Sequence, residues 1–88
     1  MLNHEYDKEA DAIYIKLSES EYAYGKDLDD GIRIDYSKNG QPIGVELLYA
    51  SKGVNLTGIP DEVQIAQVLT KYKIPTYTIS VPSKATSS

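Results

Sequence analysis

Three carboxylates at alternate positions, Asp7, Glu9 and Asp11, have the spacing of the first ligands in a calcium-binding loop. Such a loop needs a glycine at its sixth position for a sharp turn and a glutamate at its twelfth position for bidentate coordination. This chain has Ala12 and Ser18 at those two positions. The pattern therefore favours a solvated polar turn over a calcium site.

A second acidic group consists of Asp27, Asp29, Asp30 and Asp35, with Gly31 among them. Crowded carboxylates raise each other's pKa or bind a hard cation, which makes a small-molecule or metal-binding module in a dimer groove our alternative function. Aspartate is also common in tight turns, because its side chain bonds to the nearby backbone. We favour the turn interpretation, and we expect neither a metal site nor a cofactor.

The chain has one histidine, His4, and no cysteine. The lack of cysteine excludes disulfide bridges and thiolate metal sites. No residues stand at a recognisable nucleophile–base spacing, and the glycines do not form a phosphate-binding loop. We therefore interpret His4 as a strand residue rather than a general base, and we expect a protein that is not an enzyme.

Thirteen acidic residues outnumber nine basic ones, which gives the 88-residue chain a formal net charge of −4. The basic residues form no stripe, so we expect no binding to nucleic acid. No run approaches the roughly 18 apolar residues of a membrane span, and the first residues lack the basic start and apolar stretch of a signal peptide. We therefore expect no membrane contact and a cytoplasmic location.

The size of the chain allows one domain with a small core. Such a domain buries roughly 60–65% of its unfolded surface, and proteins near this size often gain stability from a partner. The chain also has eight tyrosines but neither phenylalanine nor tryptophan. Tyrosine suits half-buried positions in sheets and in interfaces. We therefore expect self-association, most simply as a homodimer.

Asn39-Gly40 predicts a β-hairpin with a two-residue type I′ turn, in which both residues have positive φ. A four-residue loop over 37–40 is the alternative. With the shorter loop, apolar residues share one face and an opposite-charge pair lies on the other. The predicted cross-strand pairs are Tyr36 with Ile43, Ile34 with Val45, Ile32 with Leu47, and Arg33 with Glu46.

Alternating residues also predict a hairpin before this one. The strands Leu2–Asp7 and Ala12–Leu17 would pair Tyr6 with Ile13, His4 with Ile15, and Leu2 with Leu17. A weaker strand is predicted over Tyr22–Leu28, with an ambiguous inner face. Asp29–Gly31 is predicted to form a three-residue loop in which Gly31 has the left-handed backbone conformation. The region 1–52 is thus predicted to form an antiparallel meander of about five strands.

The spacing of Ile65, Val68, Leu69 and Tyr72 predicts an amphipathic helix over 60–73 that lies on one face of the sheet. Pro60 suits its first turn, and Pro75 ends it.

Residues 76–81 alternate between Pro75 and Pro82, as expected of an edge strand that completes its own sheet or adds to a partner's. The fold class is therefore α+β, with a single domain over 1–82 and a disordered tail over 83–88.

The sheet face opposite the helix needs its own explanation. We expect six residues there: Tyr14, Lys16, Arg33, Asp35, Glu46 and Leu48. Tyrosine and leucine beside a charge pair are typical of an interface with a polar rim, and Tyr14, Arg33, Glu46 and Leu48 are the candidate interface residues. A solvated sheet face with two exposed apolar residues is the alternative.

Three segments resemble a known prokaryotic family, the domain of unknown function 2283. They are Tyr6–Leu17, Leu28–Tyr36 and Ile43–Ser51, which are similar to motifs of the form Tyr-Asp-x-Glu-Ala-Asp-Ala-x-Tyr-Ile, Gly-x-x-x-Asp-Tyr and Gly-Ile-Glu-x-Leu-x-Ala-Ser. The resemblance covers about residues 5–52 and implies no activity, cofactor or catalytic residue. Some members resemble antitoxins, being encoded beside small toxin-like proteins of the ribonuclease type. The resemblance thus implies an antitoxin-like inhibitor that binds a partner protein, although no DNA-binding helix pair is visible.

Overall fold

The computed structural model describes residues 1–79. Within this range the chain forms the helix α1 over Glu62–Lys71 and a 3-10 helix over Ala50–Lys52. The seven strands are β1 His4–Asp7, β2 Ala12–Lys16, β3 Tyr24–Asp29, β4 Ile32–Tyr36, β5 Pro42–Leu48, β6 Val54–Asn55 and β7 Thr76–Tyr77. Residues 80–81 of the predicted edge strand and the predicted tail over 83–88 lie outside the described residues.

Strands β1 to β5 form one antiparallel sheet with the spatial order β1, β2, β5, β4, β3. The β1–β2 hairpin joins the β3–β4–β5 meander because β2 pairs along β5. The segment between β2 and β3 crosses one end of the sheet, where the N–H of Leu17 donates to the carbonyl of Ile43 at 2.9 Å. One helix packed on this five-stranded antiparallel sheet confirms the predicted α+β class.

The predicted register of the β4–β5 hairpin is confirmed along most of its length. Three predicted pairs are present: Ile32 with Leu47, Arg33 with Glu46, and Ile34 with Val45. The fourth prediction is wrong, because Tyr36 pairs with Pro42 instead of Ile43 after a register shift next to Asp35.

The turn of this hairpin explains the shift. Gly40 has a φ of 84°, but Asn39 is not among the left-handed residues, so the predicted type I′ turn is wrong. The N–H of Gly40 donates to the carbonyl of Ser37, and the N–H of Ser37 donates to the carbonyl of Gln41, both at 2.9 Å. These bonds are typical of a type I turn followed by a left-handed glycine. Five residues, 37–41, separate the two strands, so both predicted loops are too short.

The first hairpin also follows its predicted register. Two of its three predicted pairs are present: His4 with Ile15 and Tyr6 with Ile13. The third, Leu2 with Leu17, lies beyond the strands, because β1 begins at His4 and β2 ends at Lys16.

Strand β3 has a defined inner face in the structure. Tyr24 pairs with Tyr36 on the helix side of the sheet, and Gly25 pairs with Asp35 on the other side. Asp29 belongs to the strand, so the predicted three-residue loop is wrong, although Gly31 has the expected left-handed φ of 79°.

Helix α1 buries its predicted apolar face on the sheet. Ile65, Val68 and Leu69 are fully buried, and Tyr72 packs against them at the helix end. The sheet contributes Ile13, Ile15, Ile32, Ile34, Val45 and Leu47 to this core. Full burial of one such side chain contributes about 1.5–3 kcal/mol relative to exposure.

The helix is shorter than predicted at both ends. Asp61 has a left-handed φ of 53° directly before it, so Pro60 lies outside the first helical turn. At the other end Lys73 is left-handed with a φ of 59°, and the N–H of Ile74 donates to the carbonyl of Leu69 at 3.0 Å. The left-handed residue ends the helix before Pro75.

The edge strand predicted over 76–81 is not part of the main sheet. Within residues 1–79 it is also shorter than predicted. Strand β7 covers Thr76–Tyr77 and pairs in parallel with β6, which follows the 3-10 helix. The N–H of Val54 donates to the carbonyl of Pro75 at 2.9 Å, and the N–H of Leu56 donates to the carbonyl of Tyr77 at 2.7 Å. This small sheet attaches the chain after α1 to the end of the meander.

Candidate binding face of the sheet

The sheet face opposite α1, here called the open face, brings together the six residues that the sequence assigned to it. Tyr14 on β2 lies beside Glu46 on β5, Glu46 beside Arg33 on β4, and Arg33 beside Asp27 on β3. The next row consists of Lys16, Gly44, Asp35 and Gly25. The candidate residues therefore occupy adjacent strands, although their role as an interface stays a prediction.

Tyr14 lies across the sheet rather than upright. Its hydroxyl donates to Asp35 Oδ2 at 3.1 Å, two strands away. The ring passes over Gly44, where a Cβ atom would overlap the phenolic hydroxyl. Glycine at this position therefore makes room for the tyrosine, an arrangement in which the ring covers the backbone of β5.

The environment of Tyr14 keeps its hydroxyl protonated. Burial, then the hydrogen bond to Asp35 and then the charges of Asp35 and Glu46 raise the pKa of Tyr14 to about 12. Burial and nearby negative charges both disfavour the phenolate. Tyr14 is thus a fixed hydrogen-bond donor at physiological pH.

Arg33 on β4, two strands away from Tyr14, is held in a similar way. Its Nη1 is 3.6 Å from Asp27 Oδ1, and its Nε is 3.8 Å from Asp35 Oδ1. A Cβ atom on Gly25 would overlap the guanidinium group, so this glycine leaves the space in which the group lies. The Tyr22 side chain first, and the charges of Asp27 and Asp35 after it, raise the pKa of Arg33. The guanidinium remains charged.

Asp35 connects the two residues. One carboxylate oxygen accepts the hydrogen bond from Tyr14, and the other faces Arg33. Asp35 is flanked on its own row by Gly44 and Gly25, which have no side chains to separate it from its partners. A tyrosine, an aspartate and an arginine are therefore linked across three neighbouring strands, β2, β5 and β4.

The remaining residues of the open face lie outside this network. Leu48 is 42% exposed at the end of β5, and Tyr49 after it is also exposed, with a left-handed φ of 55°. Lys16 forms an ion pair with Glu19 at 2.9 Å, and both side chains are exposed. Pairs of this kind contribute little to stability.

The first acidic group has a structural role at Asp11. Its carboxylate accepts hydrogen bonds from the N–H and the hydroxyl of Ser51 at 2.9 and 2.7 Å. Asp7 Oδ1 accepts the N–H of Ala10 at 3.1 Å within the same turn. Two of the three carboxylates thus form hydrogen bonds at this turn, and Glu9 lies within it, in agreement with the turn interpretation.

The second acidic group is divided between two environments. Asp27 and Asp35 face Arg33, and Asp29 accepts the N–H of Asp30 at 2.8 Å in the turn. In the described part of the chain, no three histidine, cysteine or carboxylate side chains are placed to hold a metal ion.

His4 is a strand residue with two hydrogen bonds. Its Nδ1 lies 2.8 Å from the carbonyl of Leu2, and its Nε2 lies 2.8 Å from the hydroxyl of Tyr72. A carbonyl only accepts, so Nδ1 donates to Leu2, and in the neutral ring Nε2 then accepts from Tyr72. His4 thereby connects the edge strand β1 to the end of α1.

The fold and this face define an α+β protein in which one helix covers one side of a five-stranded antiparallel sheet and a linked polar network covers the other. The chain belongs to the family described as protein of unknown function (DUF2283), whose model matches residues 3–51. The match covers more than half of the chain, from just before β1 to the 3-10 helix. Neither the curated proteins nor the solved structures include a significant match to this chain. Across residues 1–79, no helix has the length and apolar character needed to cross a membrane.

The family motifs found in the sequence meet in the structure. Tyr14, Asp35 and Gly44 come from three different motifs and touch one another on the open face. Asp11 and Ser51, from the first and the last motif, form the hydrogen-bonded pair beside the 3-10 helix. Sequence reasoning missed that Gly44 and Gly25 leave space for Tyr14 and Arg33. The available signal was a glycine inside a strand pattern, which often marks the close approach of another group.

Proposed function

We propose that this chain is a binding protein rather than an enzyme and that it binds another protein through the open face. The observation that supports this proposal is the linked set of Tyr14, Asp35 and Arg33. Tyrosine and arginine are two of the three residue types that dominate binding energy in protein interfaces.

The network lowers the entropic cost of binding. Ordering a flexible interface side chain on association costs about 0.5–1.5 kcal/mol of binding free energy. Tyr14 and Arg33 are already held against the sheet by Asp35, and they present the flat sides of a ring and a guanidinium group. A surface of this kind is preorganised for contact with a partner.

The family resemblance suggests which partner to test. We propose that the chain acts as an antitoxin-like inhibitor and that its partner is the toxin-like product of a neighbouring gene. Masking a partner requires a surface and no catalytic group. A linked, rigid sheet face fits that requirement.

The test is co-expression of the chain with the neighbouring gene product, followed by calorimetric titration of the purified proteins. Leu48→Asn removes an exposed apolar side chain from the open face without changing its charge, and it should weaken binding by about tenfold or more. Val63→Asn is the matched control, because Val63 is 72% exposed on α1, which covers the opposite side of the sheet. Equal affinities for the two variants would overturn the proposed binding face, and absence of any complex would overturn the proposed partner.

A further inference from the structure

Leu48 stands between two depressions on the open face. One depression is lined by Glu5, Asp7 and Glu9, with Tyr14 and Lys8. The other depression is lined by Asp27, Asp29 and Asp30, with Arg33. Both depressions share Leu48 and Glu46 at their common border. At the end of β5 the face therefore has an exposed apolar residue with a carboxylate-rich depression on each side.

The charge of the chain is concentrated at these two depressions. Seven carboxylates and two basic side chains line them, which amounts to a net charge of −5. The whole chain has a net charge of −4, so the remaining residues together have a net charge of +1. Arg33, one of the two basic residues, already faces Asp27 and Asp35.

We propose that the occupant of the open face is a basic protein surface. In this arrangement an apolar side chain of the partner covers Leu48, and lysine or arginine side chains on either side enter the two depressions. The inference rests on the proposed function, since it specifies the partner of the same face. Complementary charge of this kind guides association and selects the partner.

Charge also distinguishes this occupant from two others. A second copy of the chain would bring one surface of charge −5 against another, and facing like charges are unfavourable. A nucleic acid would bring its phosphates to the same carboxylates, whereas nucleic-acid sites are basic. A homodimer would therefore use a different surface.

The experiment selects short random peptides displayed on phage against the immobilised full chain, with the charge-neutral variant Leu48→Asn for counter-selection. Selected peptides should have a net positive charge and an apolar residue between lysines or arginines. Their synthetic forms should bind about tenfold more weakly to Glu5→Lys and to Asp30→Lys, one variant for each depression. Glu62→Lys is the matched control on α1, because it changes the net charge equally on the far side of the sheet.

The outcomes separate this inference from the proposed function. Binding that is lost in Leu48→Asn but unchanged in Glu5→Lys and Asp30→Lys would keep the open face and overturn the basic partner. Selection of neutral or acidic peptides would also overturn the basic partner. Binding that Leu48→Asn leaves unchanged would overturn the open face itself. A dimer in sedimentation that Leu48→Asn dissociates would show a second copy on the face and would also overturn the basic partner. Thermal unfolding of each variant verifies that it is folded.

Discussion

The carboxylate of Asp11 accepts two hydrogen bonds from Ser51, a residue forty positions away. The carbonyl of Asp11 also accepts the N–H of Ala50 at 3.0 Å. The turn between β1 and β2 is thereby attached to the 3-10 helix that follows β5. Asp11 adopts a left-handed φ of 53° to reach this position, a conformation that aspartate and asparagine tolerate better than most residues.

The first prediction concerns acid stability. The side-chain hydrogen bond from Ser51 first, and its backbone N–H next, lower the pKa of Asp11 from its ordinary value of 3.8. A carboxyl group with a lowered pKa in the folded state stabilises the fold above pH 3.8, and this contribution is lost as the pH falls through the folded pKa. Asp11→Asn should therefore unfold at a lower temperature than the parent at pH 6, and the difference should shrink below pH 3.8.

Asparagine isolates the effect of the charge, because it tolerates the left-handed backbone conformation as aspartate does and has no carboxylate. Thermal unfolding followed by circular dichroism over this pH range measures the effect. A difference between Asp11→Asn and the parent that stays constant from pH 6 to pH 3 would contradict the assignment.

The second prediction concerns the core beneath α1. Leu69 is fully buried against the sheet, so Leu69→Ala should lower the free energy of unfolding by about 2–5 kcal/mol. Val63 is on the same helix but exposed, and Val63→Ala should change the stability by less than about 0.5 kcal/mol. Urea unfolding of both variants measures the difference. Similar midpoints would show that α1 does not bury Leu69 against the sheet.

Alternation made the sheet predictable. Ile34 and Val45 share a face because their neighbours Arg33 and Glu46 pair on the other face, and a slip by one residue would bury the charges. The helix was equally readable, because Ile65, Val68 and Leu69 recur at its period.

The turn at Asn39-Gly40 was less readable from residue types. The pair fits a type I′ turn, in which both residues have positive φ, and it also fits a type I turn followed by a left-handed glycine. The structure has the second form, with Gly40 alone of the two in the left-handed region. The choice depends on the strand ends, where Tyr36 meets Pro42.

The parallel pairing of β6 with β7 had no signal in the sequence. Each strand has two residues, which is too short for a pattern of alternation to be recognised. Thr76 lies beside Val54 because of the path that the chain takes after α1. The contact of Tyr14 with Asp35 was hidden for a related reason, since residues on non-adjacent strands touch only because Gly44 lies between them.

The third prediction concerns Tyr14 at high pH. A pKa raised to about 12 means that the folded state holds the phenolic proton while the unfolded state loses it above pH 10. The contribution of Tyr14 to stability is therefore complete below pH 10 and is lost as the pH rises towards 12. Tyr14→Phe, which removes the hydrogen bond to Asp35, should cost about 0.5–1.5 kcal/mol at pH 7, and this cost should diminish above pH 10.

Urea unfolding of the parent and Tyr14→Phe at pH 7 and pH 11 measures this change. Ultraviolet titration of tyrosine ionisation in the folded chain should also lack one late component in the variant. A cost that is the same at both pH values would show that Tyr14 does not retain its proton.

The fourth prediction tests the space above Gly44. A Cβ atom there would overlap the hydroxyl of Tyr14, so Gly44→Ala should displace the ring and break its bond to Asp35, at a cost of about 1–3 kcal/mol. The φ of Gly44 is not positive, so the backbone itself accepts alanine. The cost should therefore disappear when Tyr14→Ala has already removed the ring. A double-mutant cycle of Gly44→Ala and Tyr14→Ala by urea unfolding measures this coupling, and additive effects would show that the ring does not lie over Gly44.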